Sequence, residues 1–129
     1  MDLRSLTKKL IEAVLEGGGV PKRYRTRPCQ GRAWRRAFPD ATSGDIRAFL
    51  LLFTAAFAYR EREKLKFRPD DVLMQIYRTH YPSKWMADAL ELETFALYLE
   101  KRYGILLANI WRSQLTLGQV FVRTRNNDA

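Results

Sequence analysis

The chain has 129 residues, of which 47% are hydrophobic and 29% charged, values typical of one globular domain spanning residues 1–129. Its single cysteine, Cys29, excludes an internal disulfide bond. Charged side chains interrupt the first residues, which do not resemble a signal peptide, so we expect a reducing, cytoplasmic setting.

Positive charge is concentrated in the N-terminal part of the chain. The net charge is +9; residues 1–36 carry ten Lys or Arg against three acids, whereas residues 37–129 carry thirteen against eleven. A basic segment at 22–36 contains Lys22, Arg23, Arg25, Arg27, Arg32, Arg35 and Arg36. Such a segment attracts polyanions, so nucleic acid, an acidic protein surface and a charged membrane face are candidate partners. The alternative is a solvated loop that only keeps the protein soluble.

Residues 1–36 predict a helix followed by a basic arm. Apolar residues repeat at helical spacing over 3–14, and Gly17-Gly18-Gly19 ends the pattern. Residues 20–28 are rich in Pro, Lys, Arg and Thr, which predicts an irregular connection. Residues 30–38 can form two helical turns before Pro39.

Residues 45–59 predict the central helix of the core, with Thr42 or Ser43 as its cap. This segment has almost no polar face, so we expect other elements to cover it, or a second copy of the chain in a homodimer. Its apolar run, 48–59, has 12 residues where about 20 are needed, which excludes a membrane span. The charged cluster 60–66 is expected to end the helix by fraying into solvent, and Leu65 with Phe67 to form a short extended piece.

A further helix is predicted to begin at Pro69 and to end at Pro82. The fixed φ of proline suits the first helical position, and Asp70 and Asp71 then lie near the positive end of the helix dipole. Adjacent residues on a helix diverge by about 100 degrees, so these carboxylates share no site. The inward stripe of this helix consists of Val72, Leu73, Ile76 and Tyr77.

Two C-terminal helices are predicted from capping boxes. Asp88 with Glu91 begins the first, and Gly104 ends it in a left-handed conformation. The apolar face of this helix consists of Leu92, Phe95, Ala96, Leu99 and Tyr103. Thr116 with Gln119 begins the second, whose apolar side consists of Leu117, Val120 and Phe121. Residues 123–129 are predicted to form a disordered tail.

The order of these features over residues 67–122 resembles the second half of an acyl carrier protein. Members of that family carry Asp-Ser-Leu at the start of an amphipathic helix, end that helix with an aromatic residue, and finish with a Thr-capped helix. Asp88-Ala89-Leu90, Tyr103 and Thr116 occupy the matching places. The resemblance implies an all-α fold and a region that recognises protein partners. That partner-binding region consists of Asp88, Ala89, Leu90 and Glu93.

Ala89 stands where the family has the serine that holds 4′-phosphopantetheine through a phosphodiester. A methyl side chain has no oxygen to form that bond, so the resemblance implies the family's architecture without its cofactor chemistry. The sequence also departs from the family in charge, because Lys101 and Arg102 accompany the acids of this helix. Only the short interval 82–87 precedes the motif, where the family has a long loop.

Residues that could support catalysis or metal binding are sparse. His80, the only histidine, lies at a predicted helix end, where a cationic imidazole would complement the helix dipole. Cys29 and His80 could form a nucleophile and base, but no oxyanion-binding glycine motif adjoins either. Two such ligands are too few for a closed zinc site. We therefore expect no enzyme activity, cofactor or metal, and we expect Trp34, Trp85 and Trp111 to be buried.

The sequence predicts an all-α protein, a small helical bundle of five or six helices with a carrier-like C-terminal half. The leading functional hypothesis is a non-enzymatic module that lacks the phosphopantetheine serine and binds a protein partner. The alternative is a small nucleic-acid-binding protein that uses the basic segment.

Overall fold

The computed structural model describes residues 20–80 and 90–126, and this part of the chain is helical and contains no β-strand. Its helices are α1 (Lys22–Arg25), α2 (Gly31–Ala37), α3 (Ser43–Ala56), a 3₁₀ helix (Glu61–Lys66), α4 (Leu73–His80), α5 (Leu90–Tyr103), α6 (Leu107–Ile110) and α7 (Leu117–Asn126). The prediction of an all-α bundle is confirmed. Single turns that the sequence did not predict form α1 and α6, and the helix predicted over 3–14 lies outside the described residues.

The central helix α3 begins where its cap was predicted. Thr42 is extended, and its side-chain oxygen accepts a hydrogen bond from the backbone N–H of Asp45 (3.0 Å). The helix ends at Ala56 and not at residue 59, because Ala58 adopts a left-handed φ of 58°. The N–H of Tyr59 then donates to the carbonyl of Thr54 (2.8 Å), which closes the helix end.

An aromatic cluster fills the space between α3 and its neighbours. The ring of Phe53 lies 4.8, 5.0 and 5.6 Å from the rings of Phe57, Phe67 and Phe95, measured between centroids, and all four side chains are fully buried. Aromatic pairs at such separations contribute about 0.5–1.5 kcal/mol each beyond the burial of their area. The cluster therefore ties α3 to α5 and to the chain between the 3₁₀ helix and α4.

The charged segment 60–66 does not fray into solvent, which corrects the prediction. Residues Glu61–Lys66 form the 3₁₀ helix, which packs along α3. Lys66 is half-buried, and its ammonium group donates to the carbonyl of Arg27 (2.6 Å). Leu65 belongs to this helix, whereas Phe67 is extended as predicted.

The helix predicted from Pro69 begins later, at Leu73. Pro69 and Asp70 form a turn, because the carboxylate of Asp71 accepts the N–H of Arg68 (2.6 Å) and the N–H of Asp71 donates back to the Arg68 carbonyl (3.1 Å). These two hydrogen bonds between Arg68 and Asp71 compete with the backbone hydrogen bonds of a helix. The predicted inward stripe is confirmed, since its members are buried or half-buried: Val72, Leu73, Ile76 and Tyr77. The predicted end at Pro82 lies outside the described residues.

The C-terminal helices follow the predicted signals where they are described. Phe95 and Leu99 of α5 are fully buried, Leu92, Ala96 and Tyr103 of the same face are half-buried, and Gly104 has a φ of 71°. The capping box before α7 is reciprocal: Gln119 N–H donates to Thr116 Oγ1 (3.1 Å), and Thr116 N–H donates to Gln119 Oε1 (3.0 Å). The predicted cap at Asp88 is not among the described residues.

The predicted tail is wrong for residues 123–126, which continue α7. Thr124 is buried, and its hydroxyl donates to the carbonyl of Phe121 (2.6 Å). This side of α7 therefore packs against the bundle through its last turn, and residues 127–129 lie outside the description.

Gly118 lies where α7 meets the turn at Pro69. Its N–H donates to the Pro69 carbonyl oxygen (2.8 Å), and a Cβ atom at position 118 would stand 2.9 Å from that oxygen. Backbone yields less easily than a flexible side chain, so we expect Gly118→Ala to lower the free energy of unfolding by about 1–3 kcal/mol. Urea unfolding followed by circular dichroism would measure the loss.

Gly44, in the first turn of α3, is the matched control for this substitution. A Cβ atom there would meet Thr42 Oγ1 at 3.8 Å, which is an ordinary contact. Because alanine favours helix more than glycine, Gly44→Ala should be neutral or raise the free energy of unfolding by up to about 1 kcal/mol. Equal unfolding midpoints for the two variants would contradict the steric role of Gly118.

Candidate functional site

A two-pronged ion pair between Arg27 and Asp71 joins the basic segment to the turn before α4. Arg27 Nη1 donates to Oδ2 of Asp71 (2.7 Å) and Nη2 donates to Oδ1 (2.9 Å). The two side chains are only 13% and 7% exposed. Hydrogen bonding to Asp71 raises the pKa of the Arg27 guanidinium above its ordinary value. Arg27 therefore remains charged and is occupied within the protein.

Further hydrogen bonds hold the basic segment against residues 65–67. Arg27 and Lys66 also form two reciprocal hydrogen bonds. Arg27 Nη1 donates to the Lys66 carbonyl (3.2 Å), and the Lys66 ammonium donates to the Arg27 carbonyl. The Gln30 N–H donates to the Leu65 carbonyl (2.7 Å), and Trp34 Nε1 donates to the Phe67 carbonyl (2.8 Å). Part of the predicted arm is thus integrated into the core.

Tyr24 is buried beside two arginines of the basic segment. Its ring lies 5.2 Å from that of Phe67, and the guanidinium carbons of Arg27 and Arg23 lie 4.8 and 5.6 Å from its centroid. Burial raises the pKa of the Tyr24 phenol above its ordinary value of 10.0, and this outweighs the lowering by a hydrogen bond with Thr79 and by Arg23. Tyr24 is therefore a core residue, and its ring is not available to stack on a base.

We expect the raised pKa of Tyr24 to make the protein less stable as the pH rises above about 10. The folded state keeps this phenol protonated at a pH where the unfolded chain has lost the proton, so the folded state binds more protons and stability declines. Tyr24→Phe has no such proton and should lose less stability between about pH 9 and 11. Urea midpoints at the two pH values would measure this, and equal losses in both proteins would contradict it.

The other six cations of the basic segment are exposed and make no ion pair within the described part of the chain: Lys22, Arg23, Arg25, Arg32, Arg35 and Arg36. The last three stand at spacings of three and four on α2, which places them on one side of that helix. Six of the seven predicted anion-binding residues therefore face solvent, and the seventh, Arg27, is held by Asp71.

The predicted partner-binding region adjoins an apolar groove. Leu90 is 57% exposed and Glu93, in the same first turn of α5, is also exposed, while Asp88 and Ala89 lie outside the described residues. Glu93 lines a groove of about 220 Å³ between α5 and α6, here called the α5/α6 groove. Its other lining residues are Leu92, Ala96, Leu107, Ala108 and Trp111. The sequence did not indicate this groove, because periodicity within α5 does not reveal where α6 packs.

A larger groove, the α3/α5 groove, has a volume of about 520 Å³. Helix α3 contributes Ala48, Leu51, Leu52 and Ala55, and helix α5 contributes Tyr98, Lys101 and Arg102. Leu51 is 41% exposed, so within the described part of the chain the neighbouring elements leave one apolar side of α3 open. The sequence predicted cover by other elements or by a second copy, and the first alternative does not account for this side. The homodimer predicted through residues 45–59 stays a prediction.

A polar cleft of about 250 Å³ adjoins the α3/α5 groove, because Ala48 and Arg102 line both. The remaining residues of this cleft are Asp45, Tyr103, Phe121, Thr124 and Arg125. Two guanidinium groups from different helices, α5 and α7, thus line one recess beside one carboxylate.

The described residues do not show the candidate catalytic pair, Cys29 and His80, in contact. Cys29 is an exposed free thiol, and the side chain of His80 is not described, so their pairing stays a hypothesis. In residues 20–80 and 90–126, no group of three or more His, Cys, Asp or Glu could hold a metal ion, and no helix is long and apolar enough to span a membrane. Trp34 is buried as predicted, Trp111 is half-buried, and Trp85 falls in the undescribed interval.

Compared with known proteins, the chain matches no protein-family model, no curated protein and no solved structure.

Proposed function

We propose that this protein is a non-enzymatic, carrier-like helical module that binds a protein partner through the α5/α6 groove. The observation that carries this proposal is that Glu93, a residue of the predicted partner-binding region, lines the groove, and that Leu90 is exposed three residues before it. Apolar side chains of a partner are suited to the surface formed by Leu92, Ala96 and Trp111.

The chemistry of the groove also suggests what the partner presents. Glu93 and the exposed Leu90 lie near the N-terminal end of α5, and Glu93 is the one acid in the described lining of the groove. A partner with one apolar anchor and a neighbouring Lys or Arg would fill the groove and meet the Glu93 carboxylate. The methyl group at Ala89 cannot carry phosphopantetheine, so binding, and not acyl transfer, is the proposed role.

Photo-crosslinking in living cells tests this surface. A photoreactive amino acid in place of Glu93 should give a discrete adduct with a partner protein, whereas the same amino acid in place of Glu100 should not. Glu100 is the matched control because it is exposed on the same helix and does not line the groove. Ala108→Asp, which places a charge in the groove, should abolish the adduct at position 93. Identical adducts at positions 93 and 100 would contradict the proposal.

The proposed loss of carrier chemistry has a separate test. Incubation of the full chain with a phosphopantetheinyl transferase and coenzyme A should leave the intact mass unchanged, because Ala89 has no hydroxyl group. A gain equal to the mass of phosphopantetheine would refute the assignment of position 89.

Nucleic-acid binding is a second candidate function, favoured by the three exposed arginines on one side of α2. Each cation that neutralises a phosphate releases counterions, so such binding must weaken steeply with salt. We expect Arg32→Gln, Arg35→Gln and Arg36→Gln together to weaken binding of labelled single-stranded DNA or RNA. The slope of the logarithm of the binding constant against the logarithm of the salt concentration should become shallower by about two.

The matched control for this triple variant removes three exposed arginines elsewhere, Arg78, Arg112 and Arg123, so that the net charge is the same. Equal losses of affinity in the two triple variants would show that binding depends only on the net charge and not on α2. Fluorescence anisotropy at about 50 mM salt that detects no binding by the unmodified protein would eliminate this candidate.

A further inference from the structure

We propose that the α3/α5 groove is a second docking surface, and that its occupant is an amphipathic helix of another protein whose carboxylates flank its apolar residues. This surface is distinct from the α5/α6 groove, and the inference does not depend on the function proposed there.

The floor of the α3/α5 groove has the spacing of a helix-binding surface. Ala48, Leu51, Leu52 and Ala55 recur at intervals of three and four, so they form one strip along α3. At about 1.5 Å per residue the strip is about 10 Å long, or two helical turns. The alanines leave space on either side of Leu51, which at 41% exposure is open to a partner. Apolar anchors on a partner helix bind grooves of this form.

The wall of the groove on α5 is basic. Lys101 and Arg102 line it, and among the described residues no acid does so. Arg125 lines the adjoining polar cleft together with Arg102, and Asp45 is the one carboxylate that the described lining of the cleft contains. The cations therefore exceed the acids around the combined surface, and the excess suits carboxylates on the occupant.

The two arginines keep hydrogen-bond donors for such carboxylates. The guanidinium carbon of Arg102 lies 5.0 Å from the ring centroid of Tyr103, and that of Arg125 lies 5.7 Å from that of Phe121. Stacking occupies the face of a guanidinium group and leaves its N–H edges to bind a carboxylate. Both guanidinium groups therefore line the cleft with N–H groups that a carboxylate can bind.

Two simpler explanations of the basic wall account for less. Cations at the C-terminal end of α5 complement its dipole, but this role requires no apolar floor beside them. A second copy of the chain would bring the same patch against itself in a two-fold dimer. Basic wall would then face basic wall in a chain whose net charge is already +9. An amphipathic helix with acidic flanks would contact the apolar residues of α3 and the basic residues of α5 at the same time.

The probe for this site is a fluorescein-labelled peptide of about 18 residues, or five turns, with leucines at intervals of three and four and glutamates on both flanks. Fluorescence anisotropy with the full chain should show saturable binding that weakens with salt. A peptide with the same leucines and with lysines in place of the glutamates should not bind.

Substitutions in the groove supply the decisive comparison. Leu51→Asp and Arg102→Glu should each weaken peptide binding by about tenfold or more. Leu106→Asp and Arg112→Glu introduce the same charges at exposed positions that do not line either groove, and should change binding by less than about twofold. Circular dichroism spectra check that each variant is folded, and Lys101→Glu replaces any variant that is not.

Four results would overturn the proposal. The first is the absence of saturable binding, and the second is equal binding of the glutamate and lysine peptides. The third is a dimer in sedimentation equilibrium that Leu51→Asp converts to monomer, which would assign the groove to a second copy. The fourth is peptide binding that appears only after Leu6→Asp and Leu10→Asp are introduced, which would assign the groove to the N-terminal segment of the same chain.

Discussion

Asp71→Ala is expected to lower the free energy of unfolding by about 3–5 kcal/mol, because it breaks a buried ion pair by removing one partner. The guanidinium of Arg27, 13% exposed, would lose both of its bonds to the carboxylate. The N–H of Arg68 would lose its acceptor as well. Urea unfolding at neutral pH, followed by circular dichroism, would measure the loss as a shift of the midpoint.

The neighbouring acid provides the control for this prediction. Asp70 is 79% exposed and approaches Arg68 only at 3.6 Å, so Asp70→Ala should change the free energy of unfolding by less than about 0.5 kcal/mol. Arg27→Met should cost less than Asp71→Ala, since the Arg68 N–H still binds the remaining carboxylate. Equal midpoints for Asp70→Ala and Asp71→Ala would show that the pair does not anchor the basic segment.

The Arg27–Asp71 pair also explains where prediction from the sequence failed. Pro69 and two acids are typical of a helix start, but Asp71 instead holds the turn and an arginine 44 positions away. No local pattern encodes such a partner. The signals that were predicted correctly, at Thr42 and at Thr116 with Gln119, depend on hydrogen bonds that reach only three residues along the chain.

At the candidate sites too, features encoded within one helix could be predicted, whereas features formed by two helices could not. The acyl carrier resemblance predicted a partner-binding region at the start of α5. Leu90 and Glu93 are exposed there, and partner binding by this region stays a prediction. The grooves beside α5 could not be predicted, because each requires the position of a second helix. The nearly continuous apolar surface of α3 predicted cover by other elements or by a second copy of the chain, but periodicity does not reveal which side of a helix the other elements leave open.

Trp34→Ala is expected to lower the free energy of unfolding by about 3–5 kcal/mol, because it empties a fully buried site that is surrounded by the rings of Phe38, Phe49 and Phe121. The indole ring lies 5.8 Å from the ring of Phe121 and 6.2 Å from that of Phe49. It also donates to the carbonyl of Phe67 (2.8 Å), which the substitution would leave without this donor. Thermal and urea unfolding would both measure the loss.

Trp34→Phe separates the two contributions of the indole. Phenylalanine keeps most of the apolar volume but lacks the N–H, so this variant should lose about 1–3 kcal/mol, the cost of a buried carbonyl without its partner. Trp111→Phe, at a half-buried indole, should cost less than either change. Equal losses for the alanine and phenylalanine variants would place the whole effect in the hydrogen bond and contradict the packing argument.

Because Trp34 holds α2 against the core, its removal should also loosen the orientation of Arg35 and Arg36. Any binding of nucleic acid by α2 should therefore weaken more in the alanine variant than in the phenylalanine variant.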